Sequence, residues 1–124
     1  MEAAIIDLRT QKIARLNDRL RKSKITKDEG VNGDILLTNA VAWLMENDYR
    51  KFIHLMFALV NFDDFNEGND PYGEHDFGKL EVEGTEGFYF KIDYYDESKE
   101  YLSEDPSDND KTFRLLTLME CSEY

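Results

Sequence analysis

The sequence predicts an α+β domain in which N-terminal helices pack on a small antiparallel β-sheet. Three observations carry that expectation. Apolar residues recur at helical spacing over residues 2–23 and again over 48–61. Strict alternation of side-chain type marks residues 79–83 and 88–95 as strands. A last segment, 112–120, is apolar on both faces, as a strand inside a sheet must be.

The first helix places Ile5, Leu8, Ile13, Leu16 and Leu20 on one side and Arg9, Lys12, Arg15, Arg19 and Lys22 on the others. Its acids Glu2 and Asp7 stand early and its bases late, which suits the helix dipole. Gly30 and Gly33 end the pattern. Ile35-Leu36-Leu37-Thr38 follows as a buried strand or the first turn of a helix, since four residues do not distinguish the two periods. Ala40–Met45 reads as a short helical segment, and Asn47-Asp48 caps a second helix with Phe52, Leu55, Met56, Leu59 and Val60 facing inward. Residues 63–78 are rich in Asp, Asn and Gly and contain Pro71, so they form a long structured loop. Lys79–Glu83 is a strand, Glu83–Gly87 a turn, and Phe88–Tyr95 a second strand with Phe88, Phe90, Ile92 and Tyr94 on one face. A second acidic loop covers 96–111, with Ser103–Asp108 as its turn. The chain of 124 residues is thus one domain, 1–124. It divides into the basic helix 1–27, a short strand or helix plus a second helix over 28–62, and acidic loop and sheet over 63–124.

Charge is sorted along this order. Residues 1–27 carry +5, and the remainder carries −17, giving the net −12. Between Asp63 and Asp110 there are 17 acids against Lys79, Lys91 and Lys99. A surface of that sign repels nucleic acid and anionic lipid and attracts basic partners. One cysteine, Cys121, excludes an internal disulfide framework and fits a reducing cytoplasm. The longest apolar run, Leu55–Val60, is far short of the roughly 20 residues that cross a bilayer. A cytoplasmic protein without membrane attachment is expected.

Several blocks resemble a known family. They are Asn69-Asp70-Pro71-Tyr72-Gly73-Glu74-His75-Asp76-Phe77-Gly78, then Lys91-Ile92-Asp93-Tyr94-Tyr95-Asp96, the Ser103–Asp108 turn, Leu116-Thr117-Leu118-Met119 and Glu123-Tyr124. In this order they are similar to a family of small bacterial domains of unknown function found on plasmids and prophages. The resemblance implies a mobile-element setting. It implies no activity, cofactor or catalytic residue.

Among local chemistries, Glu74-His75-Asp76 offers ligands for a divalent metal or a general base. Adjacent residues do not all point at one ion, however, and the same groups can fix a turn begun by Pro71 and Gly73. Counted from Asp64, the sixth and twelfth positions are Asn69 and His75, so the EF-hand order fails. Asp76-Phe77-Gly78 lacks every other part of a kinase. No metal, cofactor or catalytic residue is assigned. A DNA-binding regulator using Arg15, Arg19 and Lys22 of the first helix is a further alternative, but direct nucleic-acid binding is not expected of so acidic a chain.

The favoured reading is a non-enzymatic interaction protein of a mobile element. Asp63, Asp64, Glu67, Asp70, Glu104, Asp105, Asp108 and Asp110 would meet a basic host protein or nucleic-acid-binding complex, with Tyr72 and Tyr101 as anchors. Carboxylates along such a surface can stand in for DNA phosphates, which gives this reading a specific form, a counter-defence inhibitor of the anti-CRISPR or antirestriction type. A small metal-dependent module built on Glu74, His75 and Asp76 is its alternative. Composition leaves the oligomeric state open.

Overall fold

The computed structural model describes residues 7–124. The expected first turn of the opening helix, with Ile5, lies outside the described residues. Helix α1, Leu8–Thr26, starts at Asp7, whose carboxylate accepts from the Thr10 amide and hydroxyl. It stops at Lys27, which adopts a left-handed conformation and donates its amide to the Ser23 carbonyl. Ile13, Leu16 and Leu20 face inward as their spacing predicts, whereas Leu8 is 65% exposed.

Strand β1, Gly33–Leu37, resolves the ambiguity at Ile35–Thr38 in favour of a strand. Thr38 then opens helix α2, Asn39–Asn47. Asp48 ends α2 and caps helix α3, Tyr49–Asn61, by accepting from the Lys51 amide. Strand β2 is Phe77–Leu80, two residues ahead of the expected Lys79–Glu83. The Thr85 amide and hydroxyl donate to the Val82 carbonyl, so the chain is already turning at Val82, where alternation alone continues the strand. Strands β3, Phe88–Tyr95, and β4, Phe113–Glu120, agree with the sequence pattern.

The sheet order is β1-β4-β3-β2, so β4 is central, as its two apolar faces predict. The expected all-antiparallel sheet is corrected at one edge, where β1 runs parallel to β4. The cause is local. The second acidic loop returns the chain beside Asn32, which accepts from the Arg114 amide, so β4 starts at the same end as β1. The helices bury Leu16, Leu20, Val41, Leu55 and Leu59 against Phe88, Phe90, Ile92, Leu116 and Leu118 on one face of the sheet. Gly78 is required in β2, because a Cβ there would meet the Phe62 ring at 2.5 Å and Phe90 at 2.7 Å. Among the described residues no helix is long and apolar enough to cross a membrane.

Two guanidinium groups lie within this apolar packing. Arg21 of α1 donates to the Leu59 and Phe62 carbonyls, satisfying the end of α3, and pairs with Asp18 at 2.7 Å. Arg114 of β4 is fully buried, under the Tyr94 ring, and burial pushes its pKa down to about 10. Its Nε donates to Asn17 Oδ1 at 2.8 Å, and its Nη2 donates to the Pro106 carbonyl. Asn17, also fully buried, donates through Nδ2 to Tyr94 Oη at 2.8 Å and to the Glu74 carbonyl at 2.9 Å. Tyr94 Oη in turn donates to Glu74 Oε1 at 2.8 Å. One amide therefore ties α1 to β3, β4 and the first acidic loop.

Asn17→Ala would leave a buried guanidinium and a phenol short of partners. It is expected to cost about 2–4 kcal/mol in urea unfolding, against about 0.5 kcal/mol or less for Gln11→Ala on the exposed side of the same helix.

Candidate functional site

The first acidic loop, 62–76, is organised by its own polar side chains. Asn66 Oδ1 accepts from the Gly68 and Asn69 amides, and Asn69 Oδ1 accepts from the Asn66 amide at 2.9 Å. Asn69 Nδ2 donates to the Asp64 carbonyl at 2.7 Å. Asp70 Oδ1 accepts from the Glu74 and His75 amides at 3.0 and 3.1 Å. Phe65 anchors the loop by stacking on the His75 ring at 4.0 Å and meeting Phe62 and Phe90 edge-on. The Asn, Asp and Gly residues that mark this loop in the sequence thus build its internal ladder.

That construction decides which acids face outward. Asp63, Asp64 and Glu67 are exposed, and Tyr72 is 80% exposed. Asp70 was expected in the same surface and is instead 8% exposed, its carboxylate turned onto the loop backbone. In the second loop, Glu104, Asp110 and Tyr101 are exposed, with Glu104 3.5 Å from Lys111. Asp105 and Asp108 are half-buried with internal roles. Asp105 accepts from Ser107, which together with Arg9 at 3.3 Å holds its carboxyl below the usual range. Asp108 accepts from the Asp110 amide and caps the short helical turn Asn109–Lys111. The two loops converge on the start of α1, since Asp105 pairs with Arg9 and Gly73 lies against the Thr10 methyl.

Glu74, His75 and Asp76 do not converge on a common point. Glu74 accepts from Tyr94, while His75, at φ 59°, places Nδ1 3.0 Å from Asp18 Oδ1 and Nε2 3.9 Å from Asp70 Oδ2. Among the described residues no group of three or more His, Cys, Asp or Glu side chains is arranged to hold a metal ion. Burial, with Glu74, Asp70 and Asp93 nearby, raises the Asp76 pKa. Cys121 starts the short helical turn after β4 and is half-buried.

The basic residues of α1 are partly neutralised by the acidic body. Arg19 grips Asp28 through Nε and Nη2 at 2.7 and 2.9 Å, and that bond draws the Asp28 pKa down to about 2. Lys24 lies 3.8 Å from Asp34. Arg15 and Lys22 remain exposed.

Asn17, Arg21, Phe65 and Arg114 organise these loops, and sequence reasoning had not singled them out. The available signal was Arg114 inside an otherwise apolar strand. Trp43, Tyr49 and Phe57 are exposed apolar residues of α2 and α3, foreshadowed only by a helix apolar on nearly every side.

Fold and loops together define a two-layer α+β domain whose conspicuous polar clusters stabilise its own backbone. Residues 37–123 match the family described as "Protein of unknown function (DUF3768)", and the chain belongs to that family. No curated protein and no solved structure matches it.

His75→Ala removes a stacked ring and an Asp18 contact. A loss of about 1–2 kcal/mol on thermal or urea unfolding is expected, with the metal content of the purified protein unchanged. Asp76 gives a pH test. An acid whose folded pKa is raised contributes stability at low pH and loses it as pH rises through the folded value. Asp76→Asn should therefore flatten the decline in melting temperature above the ordinary carboxylate range and raise the melting temperature at pH 7.

Proposed function

We propose that this DUF3768 member is a non-enzymatic interaction protein whose acidic loops bind a basic, nucleic-acid-handling protein, taking the place of phosphates on that protein's surface. In a mobile-element setting the partner is a host defence complex, a CRISPR effector or restriction enzyme, and the outcome is counter-defence. One observation carries this reading. Asp63, Asp64 and Glu67 stand outward on a loop fixed by its own hydrogen bonds, and none of the described ion pairs engages them. A loop backbone ordered before binding costs little further ordering on docking, so the charge of the acids it carries acts on partner choice and association rate. The net charge of −12 adds long-range attraction to a cationic surface. Tyr72 and Tyr101 supply exposed aromatic contacts beside the two groups of acids.

The test uses a purified restriction complex and a purified CRISPR effector, each bound to labelled duplex DNA. The protein is expected to displace DNA from one of them, with affinity falling at least about tenfold between roughly 0.1 and 0.5 M NaCl. Combining Asp63→Lys, Asp64→Lys and Glu67→Lys should weaken displacement by about tenfold or more. Undiminished displacement by the triple variant, or none with either complex, would sink the proposal.

A further inference from the structure

The helices cover one face of the sheet, and the other face has an unusual composition. Its register places Leu115 between Asp34 and Asp93, and Thr117 between Leu36 and Lys91. Phe77 and Tyr89 extend the same surface, stacked 5.2 Å apart, with Tyr124 at its rim. Leu36 is 51% exposed, and the mid-strand side chains of Lys91 and Asp93 are 45% and 39% exposed, so this part of the face is open, whereas Met119, opposite Tyr89, is buried. A sheet face turned to water normally alternates to polar residues. Here aliphatic and aromatic side chains dominate, the mark of a surface that meets a partner.

We propose that this face pairs with the same face of a second copy of the chain. Charge balance identifies the occupant. Lys91 offsets Asp93 on this surface, Asp34 at its edge is met by Lys24 of α1 and Lys79 by Glu81, so the face carries no excess of either sign although the whole chain carries −12. A strongly basic or acidic partner finds no excess of opposite charge here, whereas a two-fold pair does not need one. Lys91 and Asp93 stand side by side on β3, 3.3 Å apart. A two-fold axis crossing β3 between them sets Lys91 of one copy opposite Asp93 of the other, and the reverse. Apolar rows from the two sheets then interdigitate, as in aligned sheet packing. The strands hold 5, 8, 8 and 4 residues, which at about 3.3 Å per residue and 4.8 Å between strands give a footprint of about 400 Å². Counted over both copies this lies at the low end, among weak and transient interfaces, so association with a dissociation constant of about 100 μM is expected.

Salt separates this pairing from the acidic-loop reading, on which it does not depend. Two bodies of −12 repel, and screening that repulsion strengthens self-association, whereas binding through the loops weakens.

Sedimentation equilibrium of the full chain, from about 1 to 300 μM and roughly 0.05 to 1 M NaCl, tests the proposal. The expected result is a monomer–dimer equilibrium that tightens with salt and weakens at least about tenfold in Leu115→Glu. Lys91→Glu and Asp93→Lys should each pair poorly alone, while their equimolar mixture recovers the dimer, an outcome that misfolded variants would not give. A monomer under all conditions would overturn the proposal. So would a dimer indifferent to Leu115→Glu, or a mixture no tighter than its components.

Discussion

The arrangement depends on answering a guanidinium placed inside the sheet–helix seam. Arg114 occupies the central strand, where its charge is excluded from water. Such a group is tolerated only where acceptors are fixed around it, because an unanswered buried charge costs far more than a hydrogen bond contributes. Asn17 accepts from Nε on the α1 side and the Pro106 carbonyl accepts from Nη2 on the side of the second acidic loop, while Nη1 is buried without a hydrogen-bond partner among the described residues. Tyr94 covers the guanidinium with its ring, and its hydroxyl connects to Glu74 of the first loop. The helix and both loops are therefore located by the demands of one side chain.

Much of the scaffold was legible because it follows simple periods. Leu16 and Leu20, Leu55 and Leu59, and Phe88, Phe90 and Ile92 lie in the core their spacing assigns. What the periods do not encode is the partner of an edge. The parallel pairing of β1 with β4 follows from where the second loop returns, a long-range contact between Asn32 and residues near Arg114. The loops show a similar division. Their Asn, Asp and Gly content marks structured turns, and exposure of Asp63, Asp64, Glu67 and Tyr72 agrees with the reading of 63–78 as a loop. Which carboxylate turns inward depends on the backbone path, and Asp70 shows the limit, since its acceptor role exists only once the Glu74 and His75 amides face it.

The charge sorted along the chain also acquires a spatial meaning. Helix α1 lies between the two acidic loops, pairing with Asp105 at its start, Asp28 further along, and Asp34 near its end. Its bases balance part of the acid held by the rest of the chain, which limits the self-repulsion of the compact state. The acids left without such partners are then a selected set. Family membership supplies no chemistry to place on them, so their meaning rests on geometry and charge.

The place of β4 in the sheet bears on how the chain reaches this state. Its two neighbours are β1 and β3, and Gly33 meets Arg114 across most of the sequence. Until β4 emerges during synthesis, β1 has no strand beside it, and α1, α2 and α3 find only the part of their floor that β2 and β3 supply. Closure of so long a loop makes for slow assembly and prolonged exposure of apolar surface. Folding thereby waits on the central strand, and a nascent chain halted before Phe113 has no route to the native sheet.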